Sequence, residues 1–216
     1  MNTSTTSTAD RPSTRQRGAP PVDGIRRATP DDAAEMNRTL ASAFRDDPVF
    51  GWCMPDAHTR DRHLAPWFRV VVDALLEHEE TYCTEDAAGA ALWVPAGVAP
   101  LTEEQEADLG AVTADIGEAE LARIAALTGV MEAHHPHDPH LYLWFVGVHA
   151  SRQGQGWGGR LLESRLTRAD EQAVPSYLEA TSERNRTLYA RHGFEVIGEL
   201  SVDGSPPMWQ MWRDPR

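Results

Sequence analysis

The sequence predicts a single domain of the mixed α/β (α+β) class, with a central mixed β-sheet flanked by helices. Segments of helical period alternate with short apolar segments of strand character along most of the 216 residues. One apolar run, Leu141–Val148 (LYLWFVGV), is nearly continuous, as expected of a strand covered on both faces. The length supports one well-filled core and is marginal for two.

Residues 1–23 are rich in Ser, Thr, Pro and Arg and poor in large apolar side chains, so a disordered tail is expected before a domain over 24–216. Ile25–Ala28 reads as a short strand. A helix follows to Phe44, with Thr29 as N-cap, Pro30 at its first position and Asp31 and Asp32 in its first turn. Arg45–Asp56 reads as a loop with several aromatics. A second helix is expected over about 60–77 on the stripe Leu64, Trp67, Phe68, Val71 and Leu75. Thr81–Asp86 and Gly89–Pro95 read as a hairpin. Residues 102–133 read as two helices broken near Gly117, the first opened by a Thr102–Gln105 capping box. After Leu141–Val148 come a glycine-rich loop, a helix over 160–173, a strand over 175–181 and a short helix ended by Gly193. Phe194–Val202 and Pro206–Asp214 finish the chain as two strands.

The formal net charge of −13 argues against binding nucleic acid, which requires a basic surface, and modestly favours a cationic substrate. No apolar run is long enough to span a bilayer, and no membrane partner is expected. The two cysteines, Cys53 and Cys83, form neither a disulfide framework nor a zinc spacing, so a reducing, cytoplasmic setting is expected. The histidine cluster His134–His140 lacks a helical i, i+4 pair, and no metal site is expected there.

The segment RQGQGWGG (Arg152–Gly159) lies between a strand and a helix, and half of it is glycine. Unpaired first-turn N–H groups and the helix dipole make such a junction an anion cradle, and glycines let a pyrophosphate approach the backbone. No Lys-Ser or Lys-Thr follows, which excludes a Walker A loop. Gly154, Gly156 and Gly159 fit the G-x-G-x-x-G spacing of dinucleotide folds, but no second nucleotide-binding half follows.

The run Val146-Gly147-Val148, Gln153-Gly154-Gln155-Gly156-Trp157-Gly158 and Leu161-Leu162 resembles the acetyl-CoA motif of the GCN5-related N-acetyltransferases (GNAT). Leu178–Glu195 (LEATSERNRTLYARHGFE) is similar to the family's downstream pattern of strand, Asn, Leu-Tyr and Gly-Phe. The opening R-x-A-T-x-D-D, AFRDDPVFGWCMPD and the closing MWQMWR are similar to the puromycin N-acetyltransferase-like subgroup.

The resemblance implies direct transfer of an acetyl group from acetyl-CoA to the primary amine of a small molecule, an antibiotic-like amine among the candidates, by a monomer or homodimer. Val146 and Val148 are then expected to offer backbone groups to the pantetheine arm. Gln153, Gly154, Gln155, Gly156, Trp157, Gly158 and Gly159 are expected to wrap the pyrophosphate, and Asn185 to reach the CoA arm, with an N-cap of its own helix as the structural alternative for Asn185. Tyr189 is the expected general acid, or else an aromatic packing its helix on the sheet. Glu179, in a buried strand, is the candidate base, with His149 or water as rivals and a salt bridge to Arg184 or Arg186 as its structural alternative. Asp47, Phe50, Trp52 and Trp93, with Asp46, are expected from the resemblance at the acceptor site, with core packing as the reading of the three aromatics from the residues alone, and the 102–133 helices are expected to cover it. An acetyl-CoA sensor without turnover and a protein or peptide acetyltransferase are the competing readings.

Overall fold

The structure, a computed structural model, describes residues 22–216. The tail expected over 1–23 lies outside the described residues except for Val22 and Asp23. Val22 accepts a hydrogen bond from the Ile25 N–H (3.0 Å) and packs on the core.

Seven strands form one sheet: β1 (Ile25–Arg27), β2 (Thr81–Thr84), β3 (Gly89–Val94), β4 (Leu141–Val148), β5 (Ser176–Ala180), β6 (Glu195–Leu200) and β7 (Met208–Arg213). Their order is β1-β2-β3-β4-β5-β7-β6. Every neighbouring pair is antiparallel except β4 and β5, so the sheet is mixed as expected.

Helices cover both faces. On one side lie α1 (Ala33–Phe44), α2 (Pro48–Cys53), α3 (Ala57–Leu76), α4 (Glu103–Val112) and α5 (Glu118–His134); α6 (Trp157–Glu171) and α7 (Glu183–Arg191) lie on the other. Strand alternation sorts the side chains between the two layers. Leu92 and Val94 of β3 enter the α1/α3 layer, and Ala91 and Trp93 the α6/α7 layer. The helical stripe of α3 is buried through Leu64, Phe68, Val71 and Leu75, and Met36 and Leu40 of α1 pack in the same layer.

Three elements depart from the sequence expectation. The loop Arg45–Asp56 contains α2, which the dipeptide Asp47-Pro48 starts: the Asp47 carboxylate caps the N–H groups of Val49 (2.9 Å) and Phe50 (3.3 Å), and Pro48 takes the first helical position. Helix α3 begins at Ala57, capped by Asp56, and runs through Pro66. Helix α6 begins at Trp157 rather than Arg160, so the last glycines of the loop form its first turn.

Helices α4 and α5 break at Gly117, and the Thr102–Gln105 capping box forms. They pack along α3 and α2. His63 Nδ1 meets the Val112 carbonyl (3.1 Å), and Arg123 donates to the Cys53 carbonyl (3.3 Å). On the far side, Arg213 of β7 makes two hydrogen bonds of 2.7 Å to Asp170 of α6, which holds the C-terminal strand against its helix.

Candidate active site

Strands β4 and β5 pair only at Leu141–Ser176 and Tyr142–Tyr177, then separate. The consequence is visible in burial. Trp144, Phe145 and Val146 lie in the middle of a central strand and are nonetheless half-buried. The ladder between β3 and β4 also shifts register between Leu92 and Trp93. The His149 N–H donates to the Ala88 carbonyl (2.9 Å). Backbone direction alternates along an antiparallel ladder, so Val146 and Val148 turn their amide groups away from β3 toward the gap.

The loop after β4 is built for backbone approach. Gly154 and Gly156 adopt φ of 75° and 84°, a left-handed conformation that glycine tolerates, and a Cβ on either would meet no atom within 4 Å. Gly156 is the N-cap of α6 and gives its first turn no side-chain partner. The other glycines serve packing. A Cβ on Gly158 would stand 3.4 Å from Leu188, and one on Gly159 would stand 3.1 Å from His192, so both let α6 approach α7. Gln153 turns its side-chain amide back to the Val148 carbonyl (3.0 Å) and ties the loop to the strand end, while Gln155 is exposed. Trp157 is flanked by the guanidinium groups of Arg152 (5.5 Å) and Arg160 (4.9 Å). This cradle suits a pyrophosphate, and the open edge of β4 suits an extended amide-bearing arm.

Helix α7 brings in the next residues. Ser182, not Asn185, is its N-cap, accepting from the Asn185 N–H (3.2 Å), which leaves the half-buried Asn185 side chain free of that duty. Tyr189 is 6% exposed and packs edge-on to Phe194. Burial, and then the nearby Asp47 carboxylate, raise its pKa above that of a free tyrosine, so its proton is retained at neutral pH. Asp47 approaches from the opposite face of the sheet. It is 8% exposed, receives the Thr181 hydroxyl (2.5 Å), and burial raises its pKa. The end of β5, through Thr181, thus meets a carboxylate from one layer that also acts on a tyrosine of the other.

Glu179 points into the α1/α3/α5 layer with 4% of its side chain exposed. Its Oε2 accepts the Tyr142 hydroxyl (2.8 Å), and Oε1 has no hydrogen-bond partner. Neither arginine expected beside it is there: Arg186 pairs with Glu183 and lies over the Trp209 ring, and Arg184 is exposed. His149 is held by its own turn through Ser151 Oγ (2.9 Å).

Residues 111–196 match the family model of the acetyltransferase (GNAT) domain. A structure from Corynebacterium glutamicum, described as histone acetyltransferase HPA2 and related acetyltransferase, is 25% identical with a TM-score of 0.63, covering 89% of this chain and 96% of that one. The chain has the GNAT fold.

Two curated relatives match shorter stretches. An N-acetyltransferase of Schizosaccharomyces pombe, named as uncharacterized, is 38% identical over 53 residues, which is 24% of this chain and 22% of the relative. A mycothiol acetyltransferase of Jonesia denitrificans is 34% identical over 83 residues, which is 37% of this chain and 26% of the relative. This chain therefore spans about a quarter of the length of each.

Within the GNAT fold the expected acceptor residues do not all meet. Phe50 joins a cluster of edge-to-face rings with Phe44, Trp67, Phe68 and Phe145, and Trp67 extends it to Trp144. Trp52 lies apart from these rings, near Gly204 of the β6–β7 turn, and Asp46 is exposed and pairs with Arg45. Trp93 does not belong with them. It is 0% exposed in the opposite layer, because its odd position in β3 turns it toward α6. Trp67, Trp144 and Phe145 were readable in sequence only as core. Their exposure depends on the separation of β4 from β5. Cys53 is buried, and desolvation raises its thiol to about 11, which makes it a poor nucleophile at neutral pH. Among the described residues no group of three or more His, Cys, Asp or Glu side chains is placed to hold a metal ion.

Proposed function

We propose that the protein is an N-acetyltransferase that transfers an acetyl group from acetyl-CoA directly to the primary amine of a small molecule. The observation that carries this reading is the gap between β4 and β5, flanked by a glycine cradle, with Tyr189 close enough to Asp47 for the carboxylate to raise its pKa. Val146 and Val148 would hold the pantetheine arm through backbone groups, and Asn185 would reach the same arm. Gly154, Gly156 and the first turn of α6 would hold the pyrophosphate, with Gln153 fixing the loop and Arg152 and Arg160 supplying positive charge.

The chemistry follows from the residues around the gap. Glu179 takes a proton from the incoming ammonium, directly or through water. The neutral amine attacks the thioester carbonyl, and a backbone N–H near Val148 stabilises the oxyanion. Tyr189 donates its proton to the departing thiolate, and binding both substrates together makes attack effectively intramolecular. Asp47 supplies negative charge for a cationic acceptor, and the Phe44–Phe50–Trp67–Trp144–Phe145 cluster supplies an apolar wall. The resemblance to the puromycin N-acetyltransferase-like subgroup supports an antibiotic-like amine, as does the α4–α5 segment packed over α2 and α3. The two buried free thiols support a cytoplasmic setting.

The deciding experiment is acetyl-CoA-dependent thiol release against a panel of aminonucleosides including puromycin, polyamines, arylalkylamines and peptides, alongside calorimetric titration with acetyl-CoA. Release with a small amine supports the reading. Binding without release on any amine would favour a sensor, release with peptides alone would favour a protein-modifying enzyme, and no binding at millimolar acetyl-CoA would overturn both.

A further inference from the structure

The histidine cluster before β4 bears on the proposed base. His135 is the C-cap of α5, and its ring sits against His140, Tyr142 and Tyr177, each at a centroid distance of 5.0 Å. Its Nδ1 lies 3.9 Å from Glu179 Oε1, the carboxylate oxygen that has no hydrogen-bond partner. Its Nε2 lies 3.2 Å from His140 Nε2. The His135 side chain is 35% exposed, whereas that of Glu179 is 4% exposed.

These contacts fix the tautomers. His140 Nδ1 lies 2.7 Å from the Asp138 carbonyl, which can only accept, so Nδ1 carries the His140 proton. His140 is buried, and desolvation lowers its pKa, which keeps it neutral with a lone pair on Nε2. His135 must then donate from its own Nε2. A neutral His135 with its proton on Nε2 presents a bare Nδ1 toward Glu179. Protonated, it donates to both neighbours at once. The 3.9 Å separation closes to hydrogen-bond length with a side-chain shift of about 1 Å.

We infer that His135 is a proton relay between the buried Glu179 carboxylate and solvent, with His140 as the residue that sets its tautomer. This rests on Glu179 acting as the base proposed above. Glu179 takes the proton from the acceptor ammonium and passes it from Oε1 to His135 Nδ1. The imidazolium keeps its Nε2 proton on His140 and releases the Nδ1 proton to water or buffer from its exposed side, which restores the Nε2-protonated tautomer and leaves Glu179 anionic for the next turnover. No oxidant, reductant or further reactant is needed. The titratable groups facing His135 are Glu179 and Tyr177 of β5, Tyr142 of β4 and His140 of the preceding loop.

The test has a readout independent of turnover. Nitrogen-15 imidazole spectra of the full chain without substrates should show neutral His135 protonated on Nε2. Glu179→Gln should shift the Nδ1 resonance, since the carboxylate beside that nitrogen is lost. A proton on Nδ1 in the neutral form, or an Nδ1 resonance unmoved by Glu179→Gln, would overturn the relay. In steady state, His135→Ala should lower kcat about tenfold or more at low buffer concentration, leave KM for acetyl-CoA unchanged, and recover rate as imidazole is added. Unchanged kcat, or a loss that imidazole does not restore in a variant shown to be folded by circular dichroism, would also overturn it. A wild-type protein that releases no thiol with any amine would instead overturn the acetyltransferase reading, while the spectra still decide whether His135 and Glu179 are coupled.

Discussion

Tyr189 and Asp47 are 142 positions apart in sequence (189 − 47) yet close enough for the carboxylate to perturb the phenol. Burial raises the pKa of both and so favours the protonated form of each. Tyr189 stays protonated through neutral pH, the form a general acid must have. Tyr189→Phe removes only the donor, so acetyl-CoA affinity by calorimetry should hold while kcat falls by roughly a hundredfold or more. Burial makes Asp47 take up its proton at a higher pH than an exposed aspartate, whose pKa is about 4. As pH falls, kcat/KM for a cationic amine should therefore decline from above that range. Asp47→Asn preserves the capping oxygen, so it should fold with a similar Tm, raise KM for the amine about five- to tenfold and abolish that acid limb. Tyr189 and Glu179 were legible in sequence by type and motif. The pairing of Glu179 with Tyr142 and His135 was not, because it joins three elements through side chains that each look like ordinary strand or loop residues.

At the scale of elements, the loop from Arg152 to Gly159 divides its glycines between two jobs. Gly154 and Gly156 hold a left-handed backbone, and Gly158 and Gly159 hold α6 close to α7. Gly156→Ala should therefore cost stability by about 1–2 kcal/mol in thermal denaturation, since an L-residue is strained at that φ, and weaken acetyl-CoA binding as the N-cap turn relaxes. The loop itself was legible from composition and from the strand and helix on either side. The start of α6 at Trp157 was harder to read. Gly158 and Gly159 have poor helix propensity, and only the contact with α7 places them in a helical turn. Helix α2 carried a local signal in Asp47-Pro48, but its six residues are too short for a periodicity argument, and packing against α3 and α5 stabilises it.

Across the whole molecule, an acidic chain carries a glycine-rich loop flanked by Arg152 and Arg160, and under the proposed function the loop would take the anionic co-substrate and Asp47 the cationic acceptor. The long-range field of a net charge of −13 should attract a cationic amine, so raising salt past about 0.15 M should lower its kcat/KM several-fold, with little effect on a neutral isostere's binding. Equal salt dependence for the two compounds would show that the field plays no part. The sequence by itself determined the mixed sheet, most of its helices and the glycine-rich turn between β4 and α6. All of these follow from period, turn chemistry and motif spacing within one or two adjacent elements. Only the tertiary structure decided which aromatics line the gap, that Trp93 faces the other layer, and that Glu179 meets His135. Those outcomes depend on where β5 leaves β4 and on which face each strand residue turns to. A shift of one position in either strand would exchange the two faces, and the chain settles that register only when both layers pack together.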